Sequence, residues 1–282
     1  MTVKLIVDSA CDLPSEIINE YDIDVLPFII NIEGETFYDG KDISTEEVYE
    51  AMREERYPDT DQVQAETYSR AFAREAEKGN DIIYFGFSSE LSGSYQTASL
   101  VAEDIRDRYP EVTIDVVDTR SGSAATGIIV YKTARLLEEG VERDALLDRL
   151  DDWIGRIEHL FFLDDLSALQ RGGRISLTKS LVGNFLNIKP ILHLVDGEIK
   201  LFRKVRGSKK ALTKLVDLFE ERCSYISEKL IAITHADDKK KAEQVKEQIE
   251  ELGGEIFCLE LINSVLGVHL GIGGVGIFFL GD

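Results

Sequence analysis

The sequence predicts an α/β protein of two domains, the N-terminal one mainly a parallel sheet with flanking helices, the C-terminal one mixed α/β with antiparallel pairing. Three observations predict it. Through the first half, short apolar runs alternate with amphipathic stretches, the order of strands and crossover helices in a parallel sheet. Near residue 160 this grammar changes, and the apolar runs 188–194 and 199–204 flank Asp196-Gly197, a hairpin signal that brings in antiparallel pairing. A length of 282 residues is also too great for one ordinary small core. Domains are therefore expected at 1–160 and 161–282.

In chain order, residues 3–7 read as the first strand, and Asp12 and Pro14 announce a helix carrying Ile17, Ile18 and Tyr21. Residues 25–32 read as one strand, followed by a small hairpin through 35–39. Ser44 and Glu47 have capping-box spacing and open a helix that runs down by Tyr57-Pro58. A polar loop at 59–62 leads to a helix over 66–78, ended by Gly79-Asn80, and then to a buried strand over 81–87. A helix over 94–107, a strand over 112–117 and a helix to Glu139 follow. The helix over 144–157 reads as a bridge between the domains. After the hairpin come a helix over 209–221, a strand over 230–234, a helix over 239–252 and strands near 256–261 and 276–280.

Composition narrows function. Fifty-three acidic against 32 basic side chains give a formal charge of −21, which repels nucleic acid and anionic membrane surfaces at long range. Acid excess also serves solubility, so any anionic ligand needs a local cluster of donors. Cys11, Cys223 and Cys258 lack disulfide-framework or zinc spacing and fit a reducing cytoplasm. No segment approaches the roughly 20 apolar residues of a membrane span, and the apolar run at the start is too short for a signal peptide. Neither a metal site nor a cofactor motif is found. The GxGxxG letters of residues 271–276 lead into a strand and the chain end, not into a helix, and so do not predict dinucleotide binding.

Two turns dense in small hydroxyls, 88–94 and 118–123, precede helices at the expected carboxyl edge of the parallel sheet. They read either as ordinary helix caps or as a cradle for a carboxylate or phosphate. Thr60 and Asp61 read from spacing alone as cap or turn residues. His269, between Gly267 and Gly271, reads as a structural histidine or a ligand contact. Asp164-Asp165 and Asp237-Asp238 read as solvated or capping acids at element ends, and Arg171-Gly172-Gly173-Arg174 as a flexible cationic loop for an anion or a partner.

The segments VDSACDLP (7–14), TDQ (60–62), SSELSGSYQTA (88–98), LQRGGRIS (169–176), KPILHLVDGEI (189–199) and GVHLGIGGVGIFF (267–279) follow one another in a distinctive order. Together they resemble the DegV family, bacterial fatty-acid-binding proteins that serve as the lipid-carrying subunit of fatty acid kinase, over essentially the full length. The resemblance implies a non-catalytic, cytoplasmic carrier of a long-chain fatty acid such as palmitate, without cofactor. Its partners would be a kinase catalytic subunit and, transiently, a membrane. By position it implies Thr60, Ser92, Gly93 and His269 as ligand-binding residues and Arg174 as a partner-docking residue. Asp61 and Leu270 depart from the family pattern, the first setting a negative charge beside the implied carboxylate site. Two other readings of the same residues are an enzyme acting on a small anionic metabolite, with His269 as acid or base, and a lipid-responsive regulatory module.

Overall fold

The computed structural model describes residues 2–164, 166–175 and 187–282, so Asp165 of the acid pair and Ser176 of the LQRGGRIS segment lie outside the described residues. β1 (Val3–Asp8) is followed by α1 (Ser15–Glu20), which starts immediately after Pro14. The expected single strand over 25–32 is in fact two, β2 (Asp24–Leu26) and β3 (Ile29–Ile32). Pro27 between them has no N–H to give a ladder, and the chain leaves the parallel sheet there. β3 turns back into β4 (Glu35–Tyr38), the expected hairpin. α2 (Thr45–Arg53) begins at the Ser44 capping box: the Glu47 carboxylate accepts from Ser44 N–H at 2.8 Å, and Ser44 Oγ accepts from Glu47 N–H at 3.3 Å.

The polar loop expected at 59–62 contains a strand, β5 (Asp59–Asp61), antiparallel to β3, so β4-β3-β5 form a small sheet of their own. α3 (Ala65–Glu77), β6 (Asp81–Gly86), α4 (Ser94–Arg108), β7 (Ile114–Asp118), α5 (Ser123–Glu138) and α6 (Arg143–Arg156) complete the N-terminal half. The sheet β2-β1-β6-β7 is parallel throughout, as the alternating grammar predicts. Its strands are buried on both faces. Ile6, Ile82 and Tyr84 meet Tyr68 and Phe72 of α3 and Ala98 of α4, while Leu5, Val7 and Phe85 meet Ile129 of α5 and Leu146 and Trp153 of α6. The helix read as a bridge is thus part of the covering layer of the first sheet.

β8 (Ile157–Phe162), α7 (Ser167–Gly172), β9 (Ile188–Val195), β10 (Glu198–Arg206), α8 (Ser208–Arg222), β11 (Ile231–His235), α9 (Lys239–Glu251), β12 (Ile256–Leu261), α10 (Ser264–Leu270) and β13 (Val275–Leu280) form the rest. Six strands lie in the order β10-β9-β8-β13-β11-β12, antiparallel except for β11 against β12. Asp196 and Gly197 both have positive φ, 52° and 81°, as the tight turn between β9 and β10 requires. Because side chains alternate along a strand, Leu160, Phe162 and Ile277 pack beneath α8 and α9, whereas Phe161, Leu192 and Phe278 turn to the N-terminal half. There Phe161 and Leu192 share a core with Phe28, Phe87 and Leu91, and Phe278 packs on Ala124, Ala125 and Ile128 of α5.

Candidate functional site

The small sheet fixes one side of the site. In β5 the middle residue, Thr60, is half-buried while its neighbours Asp59 and Asp61 are exposed on the other face. Thr60 Oγ1 lies 2.7 Å from Nε2 of His269, a contact between residues 209 positions apart. The Asp61 carboxylate is engaged instead by Nδ2 of Asn31 at 2.8 Å. Asp61 nevertheless lines the same cavity as Thr60, so the charge that departs from the family pattern stays at its rim, paired with Asn31.

His269 rides on α10, a seven-residue helix that shows no amphipathic period in the sequence because it is only about two turns long. Its position is set from both ends. Asn263 caps it, accepting from Leu266 N–H at 3.0 Å, and Asn263 is itself held by buried Asp12, whose Oδ1 accepts from the Asn263 backbone at 2.8 Å and side chain at 2.9 Å. Beyond the helix, Gly271 takes φ 79° and releases the chain toward β13. Gly172 at the end of α7 lets the histidine approach, since a Cβ there would stand 2.4 Å from His269 Nδ1. Burial, the neighbouring Arg174 guanidinium opposing a second positive charge, and only partial relief from Asp59 push the imidazole down to about 4, so it is neutral near pH 7.

The two hydroxyl-rich turns have different roles. In the first, Ser92 and Leu91 line the same cavity as Thr60, His269 and Arg174. Ser92 Oγ accepts from Ser94 N–H at 3.2 Å and lies 3.1 Å from Ser94 Oγ, while Ser88 donates to the Gly197 carbonyl at 2.8 Å, fastening the β9–β10 hairpin to this turn. In the second turn Thr119 donates to the Gly86 carbonyl at 2.8 Å and Ser123 to Asp12 at 2.5 Å. The second turn therefore joins the protein to itself and adds no donor to the head of the cavity. Gly93 is not among the residues lining the cavity; its lack of a side chain makes room for Gln62, whose Oε1 would be 2.4 Å from a Cβ.

The segment read as a flexible cationic loop is the last turn of α7, stopped by Gly173 in the left-handed region at φ 70°. Arg171 stacks over the Tyr57 ring at 4.8 Å, and Arg174 reaches in to line the cavity. Asp238 caps α9, as read, by accepting from Lys241 N–H at 3.2 Å, whereas Asp164 is no free solvated acid: Lys189 and Lys241 each contact it at 2.8 Å. Cys11, Cys223 and Cys258 are all free thiols.

Behind this polar end, Phe87, Leu91, Ile199, Leu266 and Leu270 also wall a second cavity between the six-stranded sheet and the N-terminal half. Its walls, including Phe161, Leu194 and Phe278, are almost wholly apolar. Both spaces are narrow, about 40 Å³ each. On its outer side His269 also borders an open groove of about 420 Å³, shared with Tyr57, Arg171 and Ile272. A neutral histidine, two hydroxyls and an arginine at the mouth of an apolar cavity suit an amphipathic molecule with an anionic head. Among the described residues no group of three or more His, Cys, Asp or Glu is placed to hold a metal ion, and no helix is long and apolar enough to cross a membrane.

Such a two-domain α/β chain, with its cavity where the halves meet, matches a known family. The family model described as "Uncharacterised protein, DegV family" matches residues 2–282, and the chain belongs to the DegV family. A DegV domain-containing protein of Clostridium perfringens is 35% identical over 282 residues, 99% of this chain and 97% of the relative. A DegV family protein of Thermus thermophilus described for its fatty acid binding superposes with a TM-score of 0.91 at 27% identity, covering 100% of both chains. A DegV lipid-binding protein of Thermotoga maritima gives a TM-score of 0.88 at 28% identity, covering 100% of this chain and 99% of its own.

Proposed function

We propose that this chain binds one long-chain fatty acid, the carboxylate at Thr60, Ser92, His269 and Arg174 and the tail in the apolar cavity behind them. The observation that carries the reading is that the polar-headed cavity and the apolar one adjoin, with Phe87, Leu91, Ile199, Leu266 and Leu270 as common walls. The fatty-acid and lipid binding of the Thermus and Thermotoga relatives supports it. A 16-carbon acid has about 14 methylenes, whose burial at ~0.8 kcal/mol each contributes about 11 kcal/mol before binding costs. The tail supplies affinity and the head supplies orientation. Entry requires lining side chains such as Phe87 and Leu266 to move, because the cavities are narrow.

Gly93, in this reading, places the Ser92 turn by admitting Gln62. The outer groove beside His269 leaves the head group approachable by a separate kinase subunit, with Arg174 at the contact, and the fatty acid is exchanged through transient membrane contact. The protein itself is a non-catalytic carrier of the cytoplasm. We place the domain boundary near residue 160, where β8 begins the second sheet.

A second reading draws on one observation, the Thr60–His269 contact at 2.7 Å, which has the geometry of a nucleophile and its base. The test is mass spectrometry of lipids extracted from the purified protein beside an activity screen on acyl esters. Fatty acid recovered from the wild type and lost from a Thr60→Val/Ser92→Ala variant, without turnover, is the expected result. Ester turnover abolished in Thr60→Val, or no lipid from either protein and none taken up, defeats the carrier reading.

A further inference from the structure

The deep cavity contains one polar atom that neither the fold nor a carboxylate head group uses. His159 lies on β8 with its side chain on the face shared by Phe161, and it is 3% exposed. It lines the cavity in the company of Phe278, whose ring it meets edge-on at 5.9 Å between centroids, and of Leu194. Its Nε2 is enclosed and has no hydrogen-bond partner among the described residues. Ser123 is the other polar side chain in this lining, but its hydroxyl is engaged by Asp12 and faces Thr234 Oγ1 at 3.3 Å.

The chemical state of Nε2 follows from the rest of the ring. The backbone hydrogen bond at Ile157 favours the protonated ring, so a ring N–H donates to that carbonyl, and with Nε2 unpartnered the donor is Nδ1. Burial keeps the imidazole neutral, pushing it down to about 3. A neutral ring with its hydrogen on Nδ1 leaves Nε2 as an acceptor only. A saturated hydrocarbon tail passing this point leaves the acceptor unpaired, and a keto group presents only lone pairs to it. A hydroxyl group can donate.

We propose that the deep end of the cavity recognises a hydroxyl carried on the acyl chain, with His159 Nε2 accepting its hydrogen bond, so that the protein selects hydroxylated long-chain fatty acids over unsubstituted ones. This inference rests on the fatty-acid reading above and can fail separately from it. Protein stripped of lipid is offered stearic acid in competition with monohydroxystearic acids substituted at successive carbons, and with the matching ketostearic acids. Native mass spectrometry reads the bound species.

One short window of hydroxyl positions is expected to outcompete stearic acid by roughly five-fold, with no advantage for the ketone at those carbons. His159→Phe, or His159→Leu should the first not fold, erases the preference while stearic acid still binds. Equal binding of every hydroxystearic isomer and stearic acid overturns the proposal, as does a preference that survives both substitutions or extends to the ketones. The positional comparison needs only the wild type, so the proposal stands or falls without either variant. Refusal of stearic acid and all its derivatives by the wild type instead overturns the fatty-acid reading itself.

Discussion

The two ends of the cavity are built by opposite means. At the head, short elements from distant parts of the chain converge: β5 brings Thr60, α10 brings His269, the turn after β6 brings Ser92 and the end of α7 brings Arg174. At the deep end, long strands of one sheet, β8 and β13, present Phe161 and Phe278 against the first turn of α5. The head is polar and borders an open groove, whereas the deep end is apolar and lies between packed sheet and helix. Apolar burial scales with area and tolerates small displacements, so broad strand faces suffice for a tail. Hydrogen bonds depend on distance and angle, and the head therefore needs each donor fixed by its own support, as Asp12 and Asn263 fix α10.

Each end holds a neutral histidine, half-buried at the head and buried at the deep end, and acid titrates that arrangement. His269 falls to about 4 in the fold against an ordinary value of 6.5, so its contribution to stability is complete above pH 6.5. Below that the unfolded chain takes up a proton the folded site refuses, and stability is lost as pH falls toward 4. Asp8 and Asp12 run the other way. Burial raises both to about 6, so their cost is felt above that pH and is relieved on acidification through the same range. Wild type alone would show a partly cancelled slope; the difference between wild type and His269→Gln isolates the head. Denaturant unfolding between pH 7 and 4 is expected to show the wild type losing about 3 kcal/mol more than the variant. Parallel curves would show that the head histidine is free to protonate.

Next in size is the head contact itself. His269→Ala removes one side of the 2.7 Å contact and leaves Thr60 facing a void. Fatty-acid affinity is expected to fall by about 2 kcal/mol, roughly 30-fold, in a fluorescent-acid displacement assay. In a double-mutant cycle Thr60→Val should couple to it by about 1 kcal/mol. Strict additivity would mean that the two residues act on the ligand independently. The deep end should respond differently. Leu194→Trp fills space for about two methylenes, so affinity for an 18-carbon acid should drop by ~1.6 kcal/mol while a 12-carbon acid binds unchanged. Equal losses for both lengths would place the tail elsewhere.

Legibility in the sequence follows the same division. Most strands and helices of both sheets have long apolar periods and stand within a few residues of their expected places, but β8, a central strand of the second sheet, has no counterpart among the expected strands because its apolar run follows directly on the helix before it. Other errors fall where short elements carry the site. β5 has three residues, two of them acidic, and α10 has seven, one of them Gly267 and with Gly271 directly after, so neither has a period to detect. The motif resemblance pointed to Thr60, Ser92 and His269 without saying how they meet. The supports of the site, Gly172 against His269 and Asp12 against Asn263, depend on contacts between distant segments and left no local signal.

The smallest expected effect concerns the residue that the sequence marked as most disruptive. A carboxylate directly beside a bound carboxylate would weaken binding severely, and Asp61→Ser would then improve affinity many-fold. In β5, however, Asp61 borders the cavity from an exposed position, and its carboxylate is tied to Asn31 at 2.8 Å. An exposed and already paired charge at the rim of the cavity is screened by solvent, so Asp61→Ser is expected to change affinity by less than about 0.5 kcal/mol. The small remainder should shrink further between low and moderate salt. A large, salt-independent gain would mean that β5 does not keep its alternation when the acid binds, and that the head of the cavity is as pliable as its apolar end.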